Sequence, residues 1–230
     1  MTIGPVAPAE LGLRERKKQR TRQLIAETAR RLFTERGFER VTVAEIARVA
    51  EVSEQTVFNY FPRKEDLVYW RMKSYQDELV TAIRERGSGE SVLAAFSRFV
   101  RTPRGLLAAR DAEAREQLAA LTRMIQESPA LLAREHEIFA GYTDTVAALI
   151  AEETGAGARE IEPWVAANAM MGVHRALIAY TRRRIVDGAR PPRLAREVAA
   201  QADRALARLE QGLAGYAAKD PTGGLEREPG

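Results

Sequence analysis

Within seven residues the chain sets Ser53, Glu54, Gln55, Thr56 and Asn59 beside a small apolar group of Ile46, Ala47, Ala50, Val52 and Val57. These polar types suit the edges of nucleic-acid bases: a carboxamide pairs two-fold with adenine, a carboxylate accepts from cytosine, and a Thr methyl meets the methyl of thymine. Upstream, Arg14, Arg16, Lys17, Lys18, Arg20 and Arg22 are answered nearby only by Glu15. A run of this kind neutralises phosphates, although alone it reads equally well as a solvated helix end. Side chains that carry catalysis are scarce, since the chain has no Cys and only His136 and His174 as histidines. Glu135 and Glu137 flank His136, but neighbours on a helix point about 100° apart and form no cluster. No Gly-rich phosphate loop and no metal-ligand spacing is present, so catalytic residues, metal site and cofactor are all expected to be none.

These side chains need helices to position them. Apolar residues recur three and four apart, and no alternating strand pattern lasts six residues. A first helix spans about residues 15–36 and ends at Gly37. Thr42 then caps a short helix through Ala50, with Glu45 three residues on as a capping box, and Ser53 caps a second one through Tyr60. Pro62 stops that helix, and a longer one is expected from Lys64 to Arg86. Beyond Gly89 the spacing predicts helices near 90–101, 104–127, 129–154, 158–186 and 193–216. Two short helices held at a steep angle by Ile46, Ala47, Ala50, Val52 and Val57 constitute a helix-turn-helix. Glu51 occupies its turn, where a positive φ would cost a residue other than glycine about 1 kcal/mol.

The excess positive charge supports that placement. Residues 1–72 hold 14 Lys/Arg against 10 Asp/Glu, whereas the remainder holds 22 of each. Lack of Cys excludes disulfide and thiolate chemistry, and no run of 18 apolar residues or secretory leader is evident, which makes the cytoplasm the expected location.

Residues 15–66 resemble the DNA-binding domain of the TetR/AcrR family of bacterial repressors. The markers are Arg31-Leu32-Phe33-Thr34-Glu35-Arg36-Gly37-Phe38, Thr42, the Ile46 to Ser53 core and the close from Asn59 to Leu67. Glu51 departs from the family's turn glycine. Phe58 departs from its usual Tyr, and without a hydroxyl it is left out of the contacts. With the resemblance, DNA contacts are expected from Arg14, Lys17, Lys18, Arg20, Thr42, Ser53, Glu54, Gln55, Thr56, Asn59, Tyr60 and Lys64. Thr42 and Lys64 would sit at helix N-termini and favour phosphates, Tyr60 would meet phosphate or sugar, and Gln55 and Thr56 lead the base readers.

The resemblance implies an all-α protein in which a three-helix DNA-binding domain precedes a larger helical domain for ligand binding and dimerisation. The expected boundaries are a lead at 1–14, the DNA-binding domain at 15–66, the effector and dimerisation domain at 67–216, and a frayed tail at 217–230. The expected function is a ligand-responsive transcriptional repressor whose partners are a palindromic double-stranded operator, a second copy of the chain and a small hydrophobic or amphipathic effector. The helix beginning at Lys64 would be the lever between the two activities. Leu194, Val198, Ala202, Leu209 and Leu213 mark an expected dimer stripe, with a second along Trp164, Asn168, Met171, Arg175 and Ile178; packing on the chain's own core is the alternative for each. Pocket candidates are the aromatics Trp70, Phe96, Phe99, Phe139, Tyr142 and Trp164, together with Met124, Met171 and His174; Tyr75 and Tyr180 join them. Arg182, Arg183 and Arg184 would either meet an anionic ligand or serve the helix end. A cavity of about 300 Å³ or more would favour sensing, whereas a filled core would favour a regulator that only dimerises or binds a protein partner. A helical enzyme using acidic residues is the remote alternative.

Overall fold

A computed structural model describes residues 12–102 and 112–213, and every regular element among them is helical. The expected tail at 217–230 and most of the lead therefore lie outside the described residues. The chain divides into two units, Met1–Trp70 and Arg71–Gly230.

The first unit holds α1 (Leu13–Arg36), α2 (Val43–Val49), α3 (Glu54–Tyr60) and a single 3-10 turn at Lys64–Leu67. Its core is Ile25, Ala29, Phe33, Phe38, Ile46, Val57, Phe61 and Leu67, all buried. The helix ends follow from local chemistry. Gly37, at φ 82°, ends α1 with its N–H on the Phe33 carbonyl at 2.8 Å. Thr42 Oγ1 accepts from the Glu45 N–H at 3.2 Å and Ser53 Oγ from the Thr56 N–H at 3.0 Å, each satisfying a donor that its helix cannot. The Glu45 carboxylate pairs with Arg36, so the expected capping box at α2 is replaced by a tie to α1.

The helix expected from Lys64 to Arg86 is interrupted. A turn at Val68–Arg71 separates the 3-10 turn from α4 (Met72–Arg84). Leu67 and Tyr69, two residues apart, are both buried.

The second unit continues with α5 (Val92–Arg101), α6 (Ala112–Glu127), α7 (Pro129–Thr154), α8 (Glu162–Val186) and α9 (Pro191–Leu213). α8 packs against α5, α6, α7 and α9. Its inward face, Ala166, Ala167, Met170, Met171, His174, Leu177 and Thr181, keeps the helical spacing of three and four. Ion pairs tie the helices at the margins: Arg86 of the α4 end to Glu153 of α7, Arg182 of α8 to Glu135 of α7, and Arg101 of α5 to Asp203 of α9. The buried Arg86 also donates to the Ile83 and Glu90 carbonyls, which leaves little of its charge unanswered.

Leu194, Ala202 and Leu206 of α9 are buried, and Val198 and Leu209 pack against the same core. The α9 stripe expected at a dimer interface therefore faces the chain's own second unit; the side chain of Leu213 is outside the described set. No helix among the described residues is long and apolar enough to cross a membrane.

Candidate nucleic-acid interface

α2 and α3 are joined by a turn that brings the Val52 N–H to the Ala47 carbonyl at 3.0 Å. Ala47 is buried where the two helices meet, and a larger side chain there would force them apart. Glu51 takes φ 54°, the one positive φ of a residue other than glycine among the described residues. Sequence reasoning anticipated this strain from the position normally held by glycine.

With Val57 turned into the core, α3 shows its other side to solvent. Glu54, Gln55, Phe58 and Asn59 are exposed, while Thr56 and Tyr60 are half-buried. Gln55 Nε2 donates to Asn59 Oδ1 at 3.1 Å, so two carboxamides one turn apart already act as a pair. Thr56 Oγ1 lies 2.8 Å from Ser53 Oγ at the cap, which ties its hydroxyl to the helix start. α1 brings Arg14, Lys17, Lys18 and Arg20 out on exposed positions ahead of its buried stretch. Thr42 is exposed at the start of α2. Lys64 is half-buried, with its ammonium 4.2 Å from the centre of the Phe38 ring and 6.0 Å from that of Phe33. Burial pushes its pKa down, against the pull of Glu39 and Glu65. Its charge thus serves packing as well as any phosphate.

This geometry offers an anchored helix, α3, with amide and carboxylate groups outward, and in the same unit a basic start to α1. It can place hydrogen-bonding groups into a groove about one helix wide. Residues 25–69 match the family model described as bacterial regulatory proteins, tetR family.

Over these residues the chain is similar to the tetR family of bacterial regulatory proteins.

Among curated relatives, the HTH-type transcriptional regulator TcmR of Streptomyces glaucescens is 34% identical over 53% of this chain. That match spans 55% of TcmR, about half its length. The HTH-type transcriptional regulator LuxR of Vibrio harveyi is 48% identical over 23% of this chain and 29% of its own. In fold, the chain is similar to the fatty acid degradation regulator FadR of Bacillus halodurans, at a TM-score of 0.52 and 21% identity over 80% of this chain and 97% of that one.

The second unit holds a cavity of about 200 Å³ between α4, α5, α8 and α9. Of the eleven pocket candidates, Tyr75 and His174 line it; its other walls include Met72, Leu177, Ile178 and Val198. Phe96, Phe99, Phe139, Tyr142 and Met171 instead fill the core, because large apolar side chains are the first to be packed solid. Trp70 belongs to the first unit, Trp164 is exposed on α8, and the half-buried Met124 does not border the cavity. Arg182 and Arg184 are engaged by Glu135 and Glu197. Sequence reading missed Val100, Ala195 and Val198 as walls, since small aliphatic residues on a helix carry no signal that separates cavity from core.

Proposed function

We propose that the chain is a sequence-specific DNA-binding transcriptional regulator that acts as a homodimeric repressor on a palindromic operator. One observation carries this reading: α3 is capped by Ser53 and anchored by Val57, and it turns Glu54, Gln55 and Asn59 outward. Gln55 and Asn59 would read base edges, while the basic start of α1, Thr42 and Tyr60 would hold phosphates. One α3 covers too few base pairs for high specificity, and a two-fold pair doubles the site.

For self-association the second stripe is the better placed. Ile161 just ahead of α8 and Trp164 and Val165 on it stand exposed at 68%, 49% and 55%, continued by Asn168 and Arg175, although Met171 of that stripe points inward. A small effector in the second unit would favour a state in which the two α3 helices no longer match the half-sites. It would act through Met72 and Tyr75 of α4, the helix that follows the DNA-binding unit along the chain. Such coupling needs about 1–3 kcal/mol of differential binding. A cavity of about 200 Å³ falls short of the volume set above as favouring sensing, so the effector on this reading is compact.

Footprinting of the chain on DNA from upstream of its own coding region tests the reading. Two protected half-sites, symmetrically related and centred about one helical turn or a multiple apart, are expected. Protection without two-fold symmetry, or none from folded dimer, would contradict it.

A further inference from the structure

Tyr75 and His174 form a polar pair in the wall of an otherwise apolar cavity. The Tyr75 hydroxyl lies 2.8 Å from His174 Nε2, and the two rings stack with centres 5.3 Å apart. Phe99 packs T-shaped against Tyr75 and Phe139 against His174, with ring centres 5.0 and 5.5 Å apart, so neighbouring rings hold both in place. His174 is buried, and its Nδ1 finds no hydrogen-bond partner. A buried ring nitrogen left unpaired is a poor choice for a side chain that only fills space.

The surrounding walls limit what can enter. Met72, Val100, Leu177, Ile178, Ala195 and Val198 are apolar, and among the described residues no carboxylate lines the cavity to receive a cation. Arg101 borders it, but its Nε is engaged by Asp203 at 2.7 Å. Thr181 and Thr102 direct their hydroxyl protons to the Leu177 and Arg98 carbonyls at 2.7 and 3.0 Å. A charged ligand would leave water for a site that does not replace its hydration. The hydrogen bond between Tyr75 and His174 can run in either direction, because a hydroxyl both donates and accepts and a neutral imidazole has two tautomers.

We propose that the Tyr75–His174 pair selects the effector of this cavity as a compact, neutral, largely apolar molecule bearing one hydroxyl or carbonyl group. The inference rests on the reading of the second unit as an effector domain. It gives the cavity a chemical class of ligand and gives the pair the role of specificity determinant. The reversible hydrogen bond lets the same pair serve a donor or an acceptor, while the apolar walls reject ions of either sign.

Calorimetric titration of the full chain with naphthalene, 2-naphthol and 2-naphthoate at pH 8 tests this, since the three share a ring system and differ in the polar group. The expected result is 2-naphthol binding about tenfold more tightly than naphthalene, with 2-naphthoate weakest; such a tenfold step corresponds to about 1.4 kcal/mol. Tyr75→Phe should remove most of the preference for 2-naphthol while naphthalene still binds. Val198→Phe, which fills the cavity, should abolish binding of all three, and circular dichroism of both variants checks that they fold. Equal affinities for naphthalene and 2-naphthol, both lost in Val198→Phe, would overturn the selection by the pair and leave the effector cavity standing. Tightest binding by 2-naphthoate would overturn the neutral class. Binding of none of the three, or binding indifferent to Val198→Phe, would remove the effector cavity and the inference together.

Discussion

Phe58 is exposed at 42% on α3, among Glu54, Gln55 and Asn59. A phenyl ring there offers a base or sugar only apolar contact, whereas a phenol could also donate to a phosphate. Phe58→Tyr is expected to tighten binding to specific and shuffled duplexes alike by about 1 kcal/mol. Because a neutral hydroxyl releases no counterion, the slope of affinity against salt should stay as it is. Anisotropy titrations at two salt concentrations check both statements, and a gain confined to one sequence would instead make position 58 a base reader. At this scale the sequence was most legible where the chemistry is local. Ser53 and Thr42 cap helices by reaching three residues ahead, and such contacts need no knowledge of the rest of the fold. Lys64 was less legible: its ammonium rests on Phe38, which the chain brings in from the end of α1.

Among the elements, the turn between α2 and α3 is under strain at Glu51, whose φ of 54° is a glycine conformation. Glu51→Gly should relieve it and raise stability by about 1 kcal/mol, less whatever the freer unfolded chain takes back. Thermal and urea unfolding measure the change; a loss of stability would mean that contacts of the Glu51 side chain outweigh the strain. Helix identities and most of their ends followed from spacing and caps, as Gly37 and the Ser128-Pro129 start of α7 illustrate. What spacing could not provide was the partner of each face. The stripe through Leu194, Val198, Ala202 and Leu209 is genuine, yet a 3.6-residue period marks an apolar face without saying what covers it. The interruption before α4 was hidden for a similar reason, since the apolar pattern runs on while Leu67 and Tyr69 are both drawn inward.

For the molecule as a whole, His174 links the second unit's stability to pH. Burial pushes its pKa down to about 4, from an ordinary value of 6.5. Between those values the unfolded chain takes up a proton that the folded chain refuses, so stability is lost as pH falls from about 6.5 toward 4 and is unaffected by this residue above that window. At pH 5 the loss from His174 alone is about 2 kcal/mol. The melting temperature should drop between pH 7.5 and pH 5, and the drop should shrink in His174→Gln; an equal drop in both proteins would place its origin elsewhere. The division into two units was foreshadowed by charge, with the whole excess of Lys and Arg in residues 1–72. The cavity was foreshadowed only in part: Tyr75 and His174 were among the candidates, but an aromatic residue in a sequence looks the same whether it fills a core, as Phe96 does, or borders a void, as Tyr75 does.

That α3 reads sequence is the central claim, and Gln55 is the residue on which it turns. The direct measurement is the ratio of affinities for DNA from the chain's own upstream region and for a shuffled duplex, in wild type and in Gln55→Ala, by fluorescence anisotropy at two salt concentrations. The account predicts a wild-type preference that survives the higher salt, and a loss of about 1–3 kcal/mol in Gln55→Ala on the upstream DNA with little change on the shuffled one. Equal losses on both duplexes would contradict it, leaving α3 as one more contact to the phosphate backbone.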